Sequence, residues 1–304
     1  MSTYPFRLID PKSRDALDDN TVLERRPFVD EDHSFKRDAR RFVPGDGLAT
    51  ALNTAIAIGD PLLITGEPGT GKTQAAYYAA FKLGVEPVLH FQVKSDTTAT
   101  SLLYDFDAVR YFRESQIHQD REIDKANYLS PGPLWEAMIS DQPRVVLIDE
   151  IDKAPRDFPN DLLHELDRME FTVAETRQLV QAPAERRPIV LMTSNSERRL
   201  PEPFLRRCVY HHIRFDRKLL DEAVEAHRQD YEDLSDGFVE LAIDRFLALR
   251  DRDLRKVPAT GELLVWLRVL ALASGSYPAE LGDDLSKLPF LSTLIKDHKD
   301  LEEL

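Results

Sequence analysis

Pro61-Leu62-Leu63-Ile64-Thr65-Gly66-Glu67-Pro68-Gly69-Thr70-Gly71-Lys72-Thr73-Gln74-Ala75-Ala76-Tyr77-Tyr78-Ala79-Ala80-Phe81 is the stretch on which the fold turns. The apolar run Pro61–Ile64 reads as a buried strand, and a helical pattern opens at Gln74. Between them stands Gly66-x-x-x-x-Gly71-Lys72-Thr73, the phosphate-binding loop or Walker A motif in its strand–loop–helix setting. Glycines let successive amide N–H groups turn inward at a helix start, which makes a concave anion site. Lys72 then reaches the β- and γ-phosphates of a nucleotide, and the Thr73 hydroxyl holds Mg²⁺. The expected phosphate-binding residues are Gly66, Glu67, Pro68, Gly69, Thr70, Gly71, Lys72, Thr73 and Gln74. The competing reading, a glycine-rich turn that binds nothing, does not account for both flanks being correct.

Working outward, the 304 residues exceed the usual single domain, so one large or two unequal domains are expected. An apolar fraction of 42% and a charged fraction of 31% are those of a globular chain. The longest apolar stretch, Leu263–Ala273, is interrupted by Arg268, so no membrane span is expected. Met1–Asp10 has no basic start followed by an apolar core, so a secretory signal is not expected. The lone Cys208 cannot build a disulfide framework or a cysteine-based zinc cluster. Together these point to the cytosol. The net charge of −14 opposes nonspecific nucleic-acid binding, although it leaves room for a local basic stripe.

In chain order, residues 1–41 form a charged extension with Arg25-Arg26 and Lys36-Arg37-x-x-Arg40-Arg41 among Asp30, Glu31, Asp32 and Asp38. A surface-packed extension is favoured over a dedicated binding arm. Leu48–Ile58 is a helix stopped by Gly59-Asp60-Pro61; after the Walker A helix, Gly84 supplies a second stop. Strands are expected at Pro87–Val93, Arg144–Ile148 and Ile189–Thr193, and a short helix at Leu134–Ile139. A further helix carries Leu162, Leu163, Leu166 and Met169, and Phe171–Glu175 reads as a hairpin arm returning near Pro188. Residues 94–133 show the least regular pattern. Strands alternating with helices imply a largely parallel α/β sheet over 42–215, and the helical spacing beyond Phe215 a small all-α domain over 216–304.

Val145-Val146-Leu147-Ile148 delivers Asp149 and Glu150 at a strand end, where open α/β sheets place ligands. Asp149 suits Mg²⁺, and Glu150 suits orienting or deprotonating an attacking water. Asp152 reads as a solvated carboxylate or helix cap. Asn195, at the next strand end, is a candidate for holding that water, against a turn-forming asparagine. Glu202-Pro203-Phe204-Leu205-Arg206-Arg207-Cys208 offers an arginine that a neighbouring subunit's nucleotide can meet, against a plain surface pair. His211-His212 lacks helical ligand spacing for a metal, Arg110-Tyr111-Phe112-Arg113 reads as an insertion element facing a ring or protein substrate, against a base-stacking element, and Cys208 reads as inert.

These signals in this order resemble the AAA+ ATPases, and the words Leu147-Ile148-Asp149-Glu150-Ile151-Asp152-Lys153, Pro131-Gly132-Pro133-Leu134 and Thr193-Ser194-Asn195 resemble the MoxR family, in particular its CoxD-like branch. The resemblance spans about residues 42–300, to Leu288-Pro289-Phe290-Leu291 and Leu294-Ile295-Lys296. It implies a P-loop αβα sandwich, the AAA+ core, followed by a helical lid. It also implies ATP and Mg²⁺ as cofactors, a ring, specifically a hexamer, and a chaperone-like role on a protein client with a von Willebrand A-domain partner. Arg207 matches the family's finger position, Arg206 being the fallback, and Asn195 its first sensor. The chain departs from the family in its lid: Gly261 stands near the expected second-sensor arginine, and Lys256 cannot reproduce an arginine's planar fork. Two alternatives follow: a nucleotide-gated scaffold with little turnover, and a nucleic-acid or restriction-type motor using GTP or ATP.

Overall fold

The computed structural model describes residues 6, 8, 20–28, 34–117, 123–195, 198–274 and 281–304. Asp30, Glu31 and Asp32 of the charged extension lie outside them. Two compact units are present: Pro44–Glu67 with Lys72–Arg214, and Phe215–Leu304 with Pro68–Gly71 and the described part of Met1–Val43.

The first unit is a P-loop αβα fold. Its sheet has five parallel strands, β1 (Leu62–Gly66), β2 (Leu89–Gln92), β3 (Val145–Asp149), β4 (Ile189–Ser194) and β5 (Val209–Ile213), in the order β2-β3-β4-β1-β5. Pairing in register sets Leu62 against Leu191 and Val209, and Val145 against Ile189. All five residues of β1 and of β3 are buried, so both faces of these strands are covered, as a parallel sheet requires. Leu63, Val146, Ile148, Val190 and Met192 share a cluster with Leu134, Trp135 and Met138. Helix α1 (Asp46–Ile58) packs against β5 and β1, and α2 (Lys72–Leu83) against β3, β1 and β4. Gly59 (φ +75°) and Gly84 (φ +68°) end these helices in the left-handed conformation that the breaker positions predicted.

The described residues of 94–133, the stretch of least regular pattern, hold a helix Ala99–Leu103, the antiparallel pair Tyr104–Phe106 with Leu129–Pro131, and α3 (Ala108–Ile117). Two expectations need correction. The arm Glu170–Thr172 returns at Leu179–Gln181, not near Pro188, because Phe171 and Val180 pair across a three-residue ladder with buried side chains. The helix expected from Leu162 to Met169 is split, with Phe158–Asp161 and Leu163–Arg168 on either side of Leu162. In addition, β5 adds an edge strand that the sequence pattern did not resolve. Helix α4 (Pro133–Ile139) stands as expected and covers β2 and β3.

The second unit is helical. Helix α5 (Arg217–Ala226) is capped by Asp216, whose carboxylate accepts from the N–H groups of Lys218 and Leu219, and α6 (Asp236–Arg250) by Ser235. With α7 (Thr260–Ala273) they bury Leu220, Ile243, Phe246, Leu263 and Trp266 together. Arg41 and Arg268 both reach the Asp230 carboxylate at 2.6 Å, and Arg268 lies over the Phe28 ring, so the described part of the extension packs against this bundle. Within the same unit, the Gly261 N–H donates to the Gly69 carbonyl at 3.3 Å. Among the described residues, no helix is long and apolar enough to cross a membrane.

Candidate nucleotide site

Parallel strands that end together bring their last residues to one edge of the sheet. Here β1 leads to Gly66, β3 to Asp149-Glu150, β4 to Ser194-Asn195 and β2 to Gln92. At the loop itself, Gly69 (φ +76°) and Gly71 (φ +87°) adopt backbone conformations that L side chains rarely take. A Cβ on Gly71 would also stand 2.7 Å from the Phe42 ring, so the site tolerates no side chain there. Lys72, the first residue of α2, is buried, and its Nζ donates to the carbonyls of Gly66 (2.9 Å) and Glu67 (2.8 Å). Burial lowers its pKa, although Asp149, Asp152, Glu150 and Glu67 partly oppose the shift.

The Thr73 hydroxyl meets the Asp149 carboxylate at 3.0 Å to Oδ1 and 3.2 Å to Oδ2. Thr193, on β4, donates from its hydroxyl to Asp149 Oδ1 and accepts from the Glu150 N–H at 2.8 Å. Burial alone would raise the Asp149 carboxyl; hydrogen bonds from His90, Thr193 and Thr73 outweigh it and hold the group below its usual range. Glu150 sits at φ +59°, a left-handed conformation costly for a non-glycine residue and frequent at functional sites. Its Oε1 accepts from the Asn195 side-chain amide at 3.3 Å, and its Oε2 from Gln92 and Lys153 at 2.6 Å each.

Against known proteins, residues 61–208 match the family model of the AAA domain, dynein-related subfamily. This segment is an AAA-type ATPase domain. It starts one residue before β1 and ends one residue before β5, so the AAA domain encloses Walker A, Asp149-Glu150, Asn195 and Arg206-Arg207. No curated protein matches the chain significantly. A crystal structure of a candidate ATPase from Cytophaga hutchinsonii aligns over 88% of this chain and 82% of its own, with 14% identity and a TM-score of 0.42. That likeness is too low to carry weight for fold or function.

Hard oxygen donors are what Mg²⁺ takes, usually one or two from protein with the rest from phosphate and water. In the AAA domain, the Thr73 hydroxyl beside the Asp149 carboxylate fits that ion. Among the described residues, no group of three or more His, Cys, Asp or Glu side chains can hold a metal. His211 and His212 are neighbours on β5, and His212 Nδ1 lies 2.9 Å from Thr65 Oγ1.

The remaining candidates fall in different places. Arg207 donates to Asp167 at 2.7 Å and Arg206 to Glu202 at 2.5 Å, both on the surface. Asp152 is a correction: it is buried, not solvated, and its carboxylate accepts from the Asn195 N–H at 3.3 Å. Burial, followed by Asp60 and Asp167, pushes the Cys208 thiol up to about 12. Arg110 lies over the Tyr128 ring and bonds Glu114, with Val109 and Phe112 of α3 exposed.

His90, Gln92, Lys153 and Thr193 are site residues that motif reading missed. Gln92 and His90 are polar residues on a short strand, and their partners appear only once β2 pairs with β3 and sets Gln92 opposite Asp149. Thr193 and Lys153 did stand in the motif words Thr193-Ser194-Asn195 and Leu147–Lys153, where neither had a hint of its partner.

Proposed function

We propose that this chain is a MoxR-type AAA+ ATPase that binds ATP with Mg²⁺ and spends its hydrolysis on remodelling or maturing a protein client. The observation that supports it best is the meeting of the Thr73 hydroxyl and the Asp149 carboxylate at 3.0 Å, with Glu150 on the next residue. In this reading the loop from Gly66 to Gln74 holds the phosphates, and Lys72 turns its ammonium from the Gly66 and Glu67 carbonyls to phosphate oxygens. Thr73 and Asp149 would hold Mg²⁺, which when bound would supply neutralisation of phosphate charge. Glu150 accepts the proton of the attacking water, and Asn195 fixes the position of Glu150 through Oε1.

Arg207 is the proposed finger toward a neighbour in a hexameric ring, with Arg206 behind it. Its bond to the half-exposed Asp167 is a surface pair, which is weak and readily exchanged. A von Willebrand A-domain partner and a cytoplasmic setting belong to the same reading. Nucleic acid is disfavoured as a partner by the net charge of −14.

Binding of a fluorescent ATP analogue tests the site. Lys72→Ala is expected to weaken binding at least tenfold while Glu150→Gln binds like the wild type; equal binding by all three overturns the assignment. One observation favours a second reading, a nucleotide-gated scaffold: Gly261, near the position where the resemblance leads one to expect an arginine, offers no side chain and donates its N–H to the Gly69 carbonyl. Assembled protein with its partner that releases phosphate no faster than its Glu150→Gln counterpart would establish the scaffold.

A further inference from the structure

One half-buried line of hydrogen bonds leads to Asp149. The Tyr77 hydroxyl, on α2, lies 3.0 Å from His90 Nδ1, and His90 Nε2 lies 3.2 Å from Asp149 Oδ2. The two rings meet edge to face, with centroids 6.0 Å apart. An ionised carboxylate can only accept, so Nε2 carries the proton toward Asp149. In the neutral ring Nδ1 is then an acceptor, and the Tyr77 O–H donates to it. Burial, with Asp149 adding to it, raises the Tyr77 hydroxyl above its ordinary pKa, so it keeps the proton that this line needs.

The other donors to this carboxylate are hydroxyls: Thr193 on Oδ1 and Thr73 across both oxygens. Thr73 is also a proposed metal ligand, so its bond to Asp149 changes when the ion is bound. His90 is the donor on Oδ2 that no role in phosphate or metal binding claims, and it comes from an edge strand rather than from either motif.

We propose that His90 is a positioning residue for the metal site: braced by Tyr77, it holds the Asp149 carboxylate in the rotation that presents it beside Thr73. The proposal rests on the reading of Thr73 and Asp149 as the metal pair. Hydrogen-bond partners of metal-binding carboxylates set metal affinity, and their loss costs about 10- to 100-fold.

The test is a Mg²⁺ titration of fluorescent ATP analogue binding by the full chain, with binding in EDTA as the metal-free reference. In His90→Leu the Mg²⁺ concentration at half effect is expected to rise about 10- to 100-fold, with EDTA binding unchanged. His90→Gln, whose amide can donate to Asp149, is expected to return to within about threefold of wild type, and Tyr77→Phe to shift less in the same direction as His90→Leu. Asp149→Asn separates the layers of the argument. If it shifts the titration and His90→Leu does not, the His90 proposal is overturned and the metal pair stands. If neither shifts it, both fall. Loss of EDTA binding in folded His90→Leu makes the role structural and also overturns the proposal. Should His90→Leu not fold, a Tyr77→Phe titration that overlaps the wild type overturns it.

Discussion

Thr193 shows how much one hydroxyl settles at the residue scale. It donates to Asp149 Oδ1 and accepts from the Glu150 N–H, so a single side chain from β4 ties the proposed metal ligand to the proposed base. Thr193→Val keeps the shape, removes both bonds and leaves the Glu150 N–H without that acceptor, at a cost of about 1–3 kcal/mol. The expected outcome is a lower melting temperature and a fall in turnover steeper than the fall in nucleotide binding, read by calorimetry and phosphate release. Arg207→Ala is expected to slow turnover about 10³-fold if the residue reaches a neighbour's nucleotide; a loss under about threefold would remove it from that role. Motif residues such as Lys72 and Thr73 were legible because loop, strand and helix are contiguous in sequence. Gln92 and His90 were not, because parallel pairing brings β2 beside β3 across more than fifty intervening residues, and no local spacing reports that.

At the scale of elements, legibility followed burial. Strands β1 and β3 are buried at every position and stood out as apolar runs. Strand β5 lies at the sheet edge as Val-Tyr-His-His-Ile with no buried residue, and so carried no apolar signal. Helix α3 also buries none of its residues, which is why its stretch looked irregular. Helix α7 is the opposite case: Trp266 is fully buried, and its indole N–H donates to the Pro289 carbonyl at 2.7 Å. Trp266→Ala is expected to cost about 3–5 kcal/mol through the cavity it leaves, measured by denaturant unfolding. Asp230 joins Arg41 to Arg268 in the same unit. Burial alone would raise the Asp230 pKa, but bonds from Arg41 and Arg268 outweigh it and hold the group below its ordinary value. Its stabilising contribution is therefore complete above the ordinary carboxylate range and is lost as pH falls through the lowered value. Asp230→Asn is expected to destabilise the chain by about 2 kcal/mol at pH 7, with the gap to wild type closing only in strong acid. A gap independent of pH would separate the pair from the stabilisation.

For the molecule as a whole, the α/β class followed from alternating strands and helices, and the AAA domain match over residues 61–208 agrees with it. Assembly is the proposal that lies furthest from any single residue. With Glu150→Gln blocking turnover, Mg-ATP is expected to shift the mass by light scattering from monomer to one discrete ring, and Arg207→Ala added to it is expected to leave that mass unchanged. A nucleotide-bound protein that stays monomeric would move control of assembly to a partner, or to the lid around Gly261.

The central claim is that Glu150, held beside Asp149 at the end of β3, drives hydrolysis of nucleotide bound in the Gly66–Thr73 loop. Steady-state phosphate release from Mg-ATP, wild type against Glu150→Gln at saturating nucleotide and with matched binding, tests it most directly. The account predicts that the variant binds equally and turns over about 10²- to 10⁴-fold more slowly, the loss expected on removing a general base. Equal phosphate release by the two proteins would contradict it.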